Sequence, residues 1–165
     1  MLLAFIIGKM EDHMRITKYR AELNEDQHNI LVKENSCNYP VDYLRNPQAI
    51  TEMLNSIFQL NRQAEEYVYM IALNTKNKPL GVFEISHGAV NQSICNPREI
   101  FIKALLCGAT GIILAHNHPS GDITPSKEDV TVYRRIREAS EILGVNLLDN
   151  IVIGNGYFSF MENGI

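Results

Sequence analysis

Residues 111–118 read Gly-Ile-Ile-Leu-Ala-His-Asn-His, an apolar run that ends on two histidines two positions apart. A short apolar run of this kind fits a buried strand. Side chains alternate across a strand, so His116 and His118 point to one side. Pro119, Ser120 and Gly121 then turn the chain. A helical pattern begins near Pro125 or Ser126, and Asp129 falls in its first turn. Asp129 also lies on the inward stripe of that helix, with Val132, Tyr133, Ile136, Ala139, Ser140 and Leu143. A carboxylate on a core-facing stripe is costly unless something neutralises it. Glu128 would serve the helix dipole equally well, so the dipole does not account for Asp129. Two imidazoles and one carboxylate converging on one point, with a fourth position open, form the pattern of a catalytic zinc site. His116, His118 and Asp129 are therefore the expected ligands of a Zn²⁺ ion.

The rest of the chain supplies strands and helices around this stretch. Residues 15–23 alternate loosely and read as a strand, 24–29 as a turn, 30–32 as a short strand, and 36–40 as turn-rich. Asn46-Pro47 is a helix start, with Asn as cap and Pro at the first helical position. Ile50, Met53, Leu54, Ile57, Phe58 and Leu60 follow at helical spacing. Residues 66–73 and 79–85 read as a hairpin. Asn96-Pro97 opens a second helix, with Glu99 placed for a capping box and Ile100, Phe101, Ala104 and Leu105 on its apolar face. Gly108 and Gly144 sit where helices end. Strands follow at 147–148 with 151–153, and at 157–160. Strands interleaved with helices predict an α/β sandwich with a mixed β-sheet. We assign residues 15–165 to one domain, its motif-bearing core at about 46–160, and leave residues 1–14 as a leader or surface segment.

Composition narrows the function classes. Net charge is −4, where a dedicated nucleic-acid binder usually shows a basic balance. The three cysteines are odd in number and lack Cys-x-x-Cys spacing, which argues against a disulfide framework and fits a reducing, cytoplasmic compartment. Each is expected to be a small buried hydrophobe. No apolar run approaches the roughly 20 residues of a membrane span. Residues 1–7 are apolar, but Lys9 follows them rather than preceding them, which makes a poor signal peptide.

His-x-His, seven residues, Ser, two residues, Asp resembles the JAMM signature of the MPN/JAB metalloprotease-like superfamily. Ala115-His116-Asn117-His118-Pro119-Ser120-Gly121-Asp122 is similar, more narrowly, to its RadC-like branch. The resemblance covers roughly residues 66–154. It implies a deaminase-like α-β-α fold and a glutamate that polarises the attacking water. That glutamate matches Glu84, in Glu84-Ile85-Ser86-His87-Gly88, with His87 standing where an arginine is expected; alternation alone would make Glu84 a solvent-facing strand residue. The matching serine, Ser126, is implied to stabilise the tetrahedral intermediate. Ser126 also reads as a helix cap, since Ser-x-x-Asp is a capping-box pattern. Its hydroxyl is free for the site only if Thr124 caps instead. Asp122 is expected to fix the turn, and His13 and His28 to lie at the surface.

The leading expectation is a zinc-dependent hydrolase of peptide or isopeptide bonds, with Glu84 as general base and Ser126 as oxyanion donor. The alternative is a DNA repair or recombination accessory protein of the RadC type, its metal site structural or vestigial. No helix-hairpin-helix pattern stands in residues 1–45, and the acidic balance does not favour DNA. An HNH nuclease disperses its motif along the chain. A zinc deaminase would show His-x-Glu and Pro-Cys-x-x-Cys, which are absent.

Overall fold

The computed structural model describes residues 13–41, 43–88 and 95–165. The apolar residues 1–7 lie outside them. Seven described strands form one mixed sheet in the order β2-β1-β4-β3-β5-β6-β7. They are β1 Met14–Leu23, β2 Asn29–Tyr39, β3 Glu66–Leu73, β4 Pro79–Gly88, β5 Gly111–Asn117, β6 Asn146–Gly154 and β7 Gly156–Ser159. The described α-helices are α1 Pro47–Phe58, α2 Pro97–Leu106 and α3 Lys127–Leu143. β1 pairs parallel with β4 and β5 parallel with β6; the other neighbours are antiparallel.

Strand alternation sorts the core into two layers. Tyr69, Ile71, Ile113, Ala115, Ile151 and Ile153 pack with Ile50, Met53 and Leu54 of α1. Val68, Met70, Ala72, Ile112 and Leu114 pack on the other face with Ile100, Phe101 and Ala104 of α2 and Ile136 of α3. The result is the expected α/β fold, with helices on both faces of the sheet. β5 is buried along its whole length, as a strand covered on both faces must be.

Local signals place most of the boundaries. Asn46 caps α1, its side chain accepting from the Ala49 N–H at 2.8 Å. Asn96 caps α2 by accepting from the Arg98 N–H. Glu99 instead pairs with Arg98 and Lys103, so the expected capping box is not made there. Residues 36–39, read as turn, continue β2, because each finds a partner on β1. Leu105 and Leu143, placed inward by periodicity, are exposed. All three cysteines are free, as expected, but only Cys95 is buried. Among the described residues no helix is long and apolar enough to cross a membrane.

The β6–β7 turn fixes the chain after β5. The His118 N–H donates to the Ile153 carbonyl, and the Asn155 N–H to the Gly121 carbonyl, both at 2.8 Å. A Cβ on Gly154 would lie 2.5 Å from that same Gly121 oxygen. This is a backbone contact that cannot swing aside, so only glycine fits. Gly154→Ala should displace the loop of residues 118–122 and weaken metal binding by about 10–100-fold, although Gly154 ligates nothing. Isothermal titration of the metal-free variant with Zn²⁺ checks this.

Candidate metal centre

His116, His118 and Asp129 meet at the end of β5. His116 is the penultimate residue of the strand, His118 lies just beyond it, and Asp129 is in the first turn of α3. The two Nε2 atoms stand 3.2 Å apart. The Asp129 carboxylate lies 3.3 Å from His116 Nε2 and 3.5 Å from His118 Nε2. A tetrahedral zinc with bonds of about 2.0–2.1 Å separates its ligand atoms by about 3.3 Å. The imidazole pair matches that edge, and each imidazole has one oxygen of the carboxylate, Oδ1 for His116 and Oδ2 for His118, at a similar distance. These three residues can hold a metal ion, and their chemistry, two imidazoles and a carboxylate, suits a borderline divalent cation.

Further contacts orient the donors. His118 Nδ1 donates to the Asp122 carbonyl at 2.7 Å, which leaves Nε2 facing the cluster, as a lone pair in the neutral ring and as an N–H toward Asp129 in the protonated one. Asp122 thus fixes the loop, as expected, through its backbone. Asp129 Oδ2 accepts from both the Ser126 N–H and the Ser126 hydroxyl at 2.7 Å, while the Asp129 N–H donates to Ser126 Oγ at 3.0 Å. Burial would push the Asp129 carboxyl up. Hydrogen bonds from His116 and His118, and that from Ser126, outweigh it and hold the group well below the usual carboxylate range. The hydrogen bond to Asp129 raises His118 above the usual imidazole value, against its own burial.

Two expectations need correction. Ser126, not Thr124, caps α3, and the capping box is complete. The Ser126 hydroxyl gives its proton to Asp129 and accepts from the helix, so it is not a free oxyanion donor in this arrangement; it positions a ligand. Glu84 is not brought to the site. It pairs across the sheet with Tyr69, whose side chain packs in the α1 layer, whereas His116 pairs with Val68 of the opposite layer. The Glu84 carboxylate is engaged there by Lys18 Nζ at 2.9 Å and His87 Nδ1 at 2.8 Å. Burial works to raise the Glu84 carboxyl, and the hydrogen bonds and charges of Lys18 and His87 together more than reverse it.

The carboxylate that does reach the cluster is Glu66. Val68 pairs with His116 in antiparallel register. Glu66, two residues before Val68, therefore falls on the same face and opposite His118. Its Oε1 lies 3.9 Å from His118 Nε2. Burial raises its pKa and the nearby Asp129 raises it further, against the pull of His116 and His118. The sequence held a signal for Glu66: it opens an alternating run, Glu66, Val68, Met70, whose odd-numbered neighbours are tyrosines, isoleucine and leucine. Choosing between the two glutamates required knowing which face of the hairpin meets β5.

Residues 44–165 match the family model described as a RadC-like JAB domain. The chain belongs to that family. Its curated relatives include a protein named UPF0758 from Pelobacter propionicus, 40% identical over 76% of this chain and 54% of the relative. A UPF0758 protein of Clostridium botulinum (strain Alaska E43) is 46% identical over 73% of this chain and 52% of its own length. Another, from Clostridium tetani, is 50% identical over 61% of this chain and 45% of its own. The chain thus spans about half the length of the curated relatives it matches. The mixed sheet flanked by three described helices agrees with a RadC-like JAB domain.

Proposed function

We propose that this RadC-like JAB domain is a zinc-dependent hydrolase of peptide or isopeptide-type amide bonds. The observation that carries the reading is Glu66, a partly buried carboxylate 3.9 Å from His118 Nε2, beside two imidazoles and a carboxylate that could hold a metal ion. JAB domains include hydrolases. Zinc held by His116, His118 and Asp129 supplies a Lewis acid for the scissile carbonyl and lowers the pKa of water toward about 7. Glu66 accepts the proton of the attacking water on a carboxylate oxygen and returns it to the leaving amine nitrogen. Burial raises its pKa and suits it to both halves of that transfer. Ser126 holds the Asp129 carboxylate in the direction of the site. The Asp122 carbonyl holds His118 in one tautomer.

A peptide or protein substrate fits the net charge of −4 better than a nucleic acid does. Purified protein should carry about one zinc per chain. A fluorogenic peptide and isopeptide library should yield a cleaved member, with cleavage lost to chelation and restored by Zn²⁺. Metal-loaded protein that cleaves no library member, yet binds duplex DNA below micromolar concentration at physiological salt, would reverse the reading in favour of a nucleic-acid role.

A further inference from the structure

We propose that Asn117, the residue between the two histidines, is a positioning residue that holds Glu66 against the metal ligands. The inference rests on Glu66 being the proton acceptor. Asn117 is 1% exposed, and strand alternation turns its side chain away from His116 and His118. Its Oδ1 accepts from the Tyr67 N–H at 2.7 Å. Its Nδ2 donates to the Glu65 carbonyl at 2.9 Å and reaches the Gln63 carbonyl at 3.5 Å. The peptide groups on either side of Glu66 are therefore tied to the residue that sits between the two imidazole ligands.

This tie stands where the backbone ladder stops. β3 pairs with β4 as far as Glu66 and Gly88, but its pairing with β5 ends at Val68 and His116. The start of β3 would otherwise lack a bond on its β5 side, leaving Glu66 on a segment free to move away from His118. One amide side chain replaces the missing rungs, donating to one peptide and accepting from the next. The position needs both an acceptor and a donor. Aspartate would face the Glu65 carbonyl with a like partial charge, and alanine would leave both buried peptide groups without a partner.

The test uses Co²⁺ as the metal and no substrate. In wild type, the ¹³C carboxyl signal of Glu66, assigned by its loss in Glu66→Gln, should show a large Co²⁺-induced shift. Asn117→Ala should take up Co²⁺ with wild-type affinity, and the His116 and His118 ring signals should keep their paramagnetic shifts. The Glu66 shift should shrink severalfold, and exchange of the Tyr67 amide should quicken by about tenfold. Asn117→Ser, which keeps a polar group but cannot span both peptides, should behave the same way and serves if the alanine variant does not fold. An unchanged Glu66 shift in a folded variant overturns the clamp, whatever the exchange rate at Tyr67. A wild-type Glu66 that does not respond to Co²⁺ overturns the reading of Glu66 itself, and the clamp's role with it.

Discussion

Glu66→Gln should lower the turnover of a cleavable amide by on the order of 10²–10⁴-fold, the usual contribution of a general base, while zinc content stays near wild type. The amide keeps the size and reach of the carboxylate but cannot accept the water proton. Zinc should remain because His116, His118 and Asp129 are untouched. Glu84→Gln is the matched control. It lies in the other core layer, paired with Lys18 and His87. It should leave turnover at the wild-type level and cost about 1 kcal/mol or less in stability, since the pair is partly solvated. Steady-state kinetics on both variants, with metal analysis of each, separate the two glutamates. Loss of activity in Glu84→Gln with full activity in Glu66→Gln would overturn the assignment.

His116→Ala and Asp129→Asn should each abolish stoichiometric zinc, a larger effect than the roughly 10–100-fold loss expected from a residue that only orients a ligand. Asp129→Asn keeps the acceptor that the Ser126 N–H needs, so α3 should stay capped. Asp129→Ala should also lose the reciprocal half of the capping box, the acceptor for the Ser126 N–H, at about 1 kcal/mol, while Ser126 Oγ still accepts from the backbone N–H at 129. The metal-free protein gives a second readout. Asp129 is depressed, so its contribution to stability is present above the ordinary carboxylate value and lost as pH falls through its folded pKa. His118 is raised, so its contribution is full below the ordinary imidazole value and lost as pH rises through its folded pKa. The pair should therefore stabilise the metal-free fold most between about pH 4 and pH 6.5. In Asp129→Asn, NMR titration should show the His118 pKa moving down, and the stability maximum in that window should flatten.

The three residues that could hold a metal were legible in sequence because each is set by local geometry. Strand period puts His116 and His118 on one side, and helix period puts Asp129 on the inward stripe. The cap was legible too: Ser-x-x-Asp marked the start of α3, and the structure completes it with Ser126. The proposed base was not, because its identity depends on non-local pairing. Both Glu66 and Glu84 belong to one hairpin, and a register shift lies between Val68 and Tyr69 where β3 meets β4. Alternation within either strand says which residues share a face; only the register of β3 on β5 says which of those faces meets the histidines. Asn117 was hidden for the same reason. Its partners, Glu65 and Tyr67, lie on another strand's approach, and nothing in a His-Asn-His triplet points to them.

The capping box on α3 has a further consequence for how the protein acquires and loses its metal. The Asp129 carboxylate is oriented by two hydrogen bonds from Ser126, as part of the first turn of the helix. The entropy of ordering that carboxylate is thus spent when the chain folds, not when the ion arrives. Small zinc modules whose ligands are scattered on loops collapse when stripped. Here two hydrophobic layers and a capped helix set the positions of His116, His118 and Asp129, so metal loading should be reversible and uncoupled from folding: a chelator should strip the ion, and returned metal should rebind, without the chain leaving its native state.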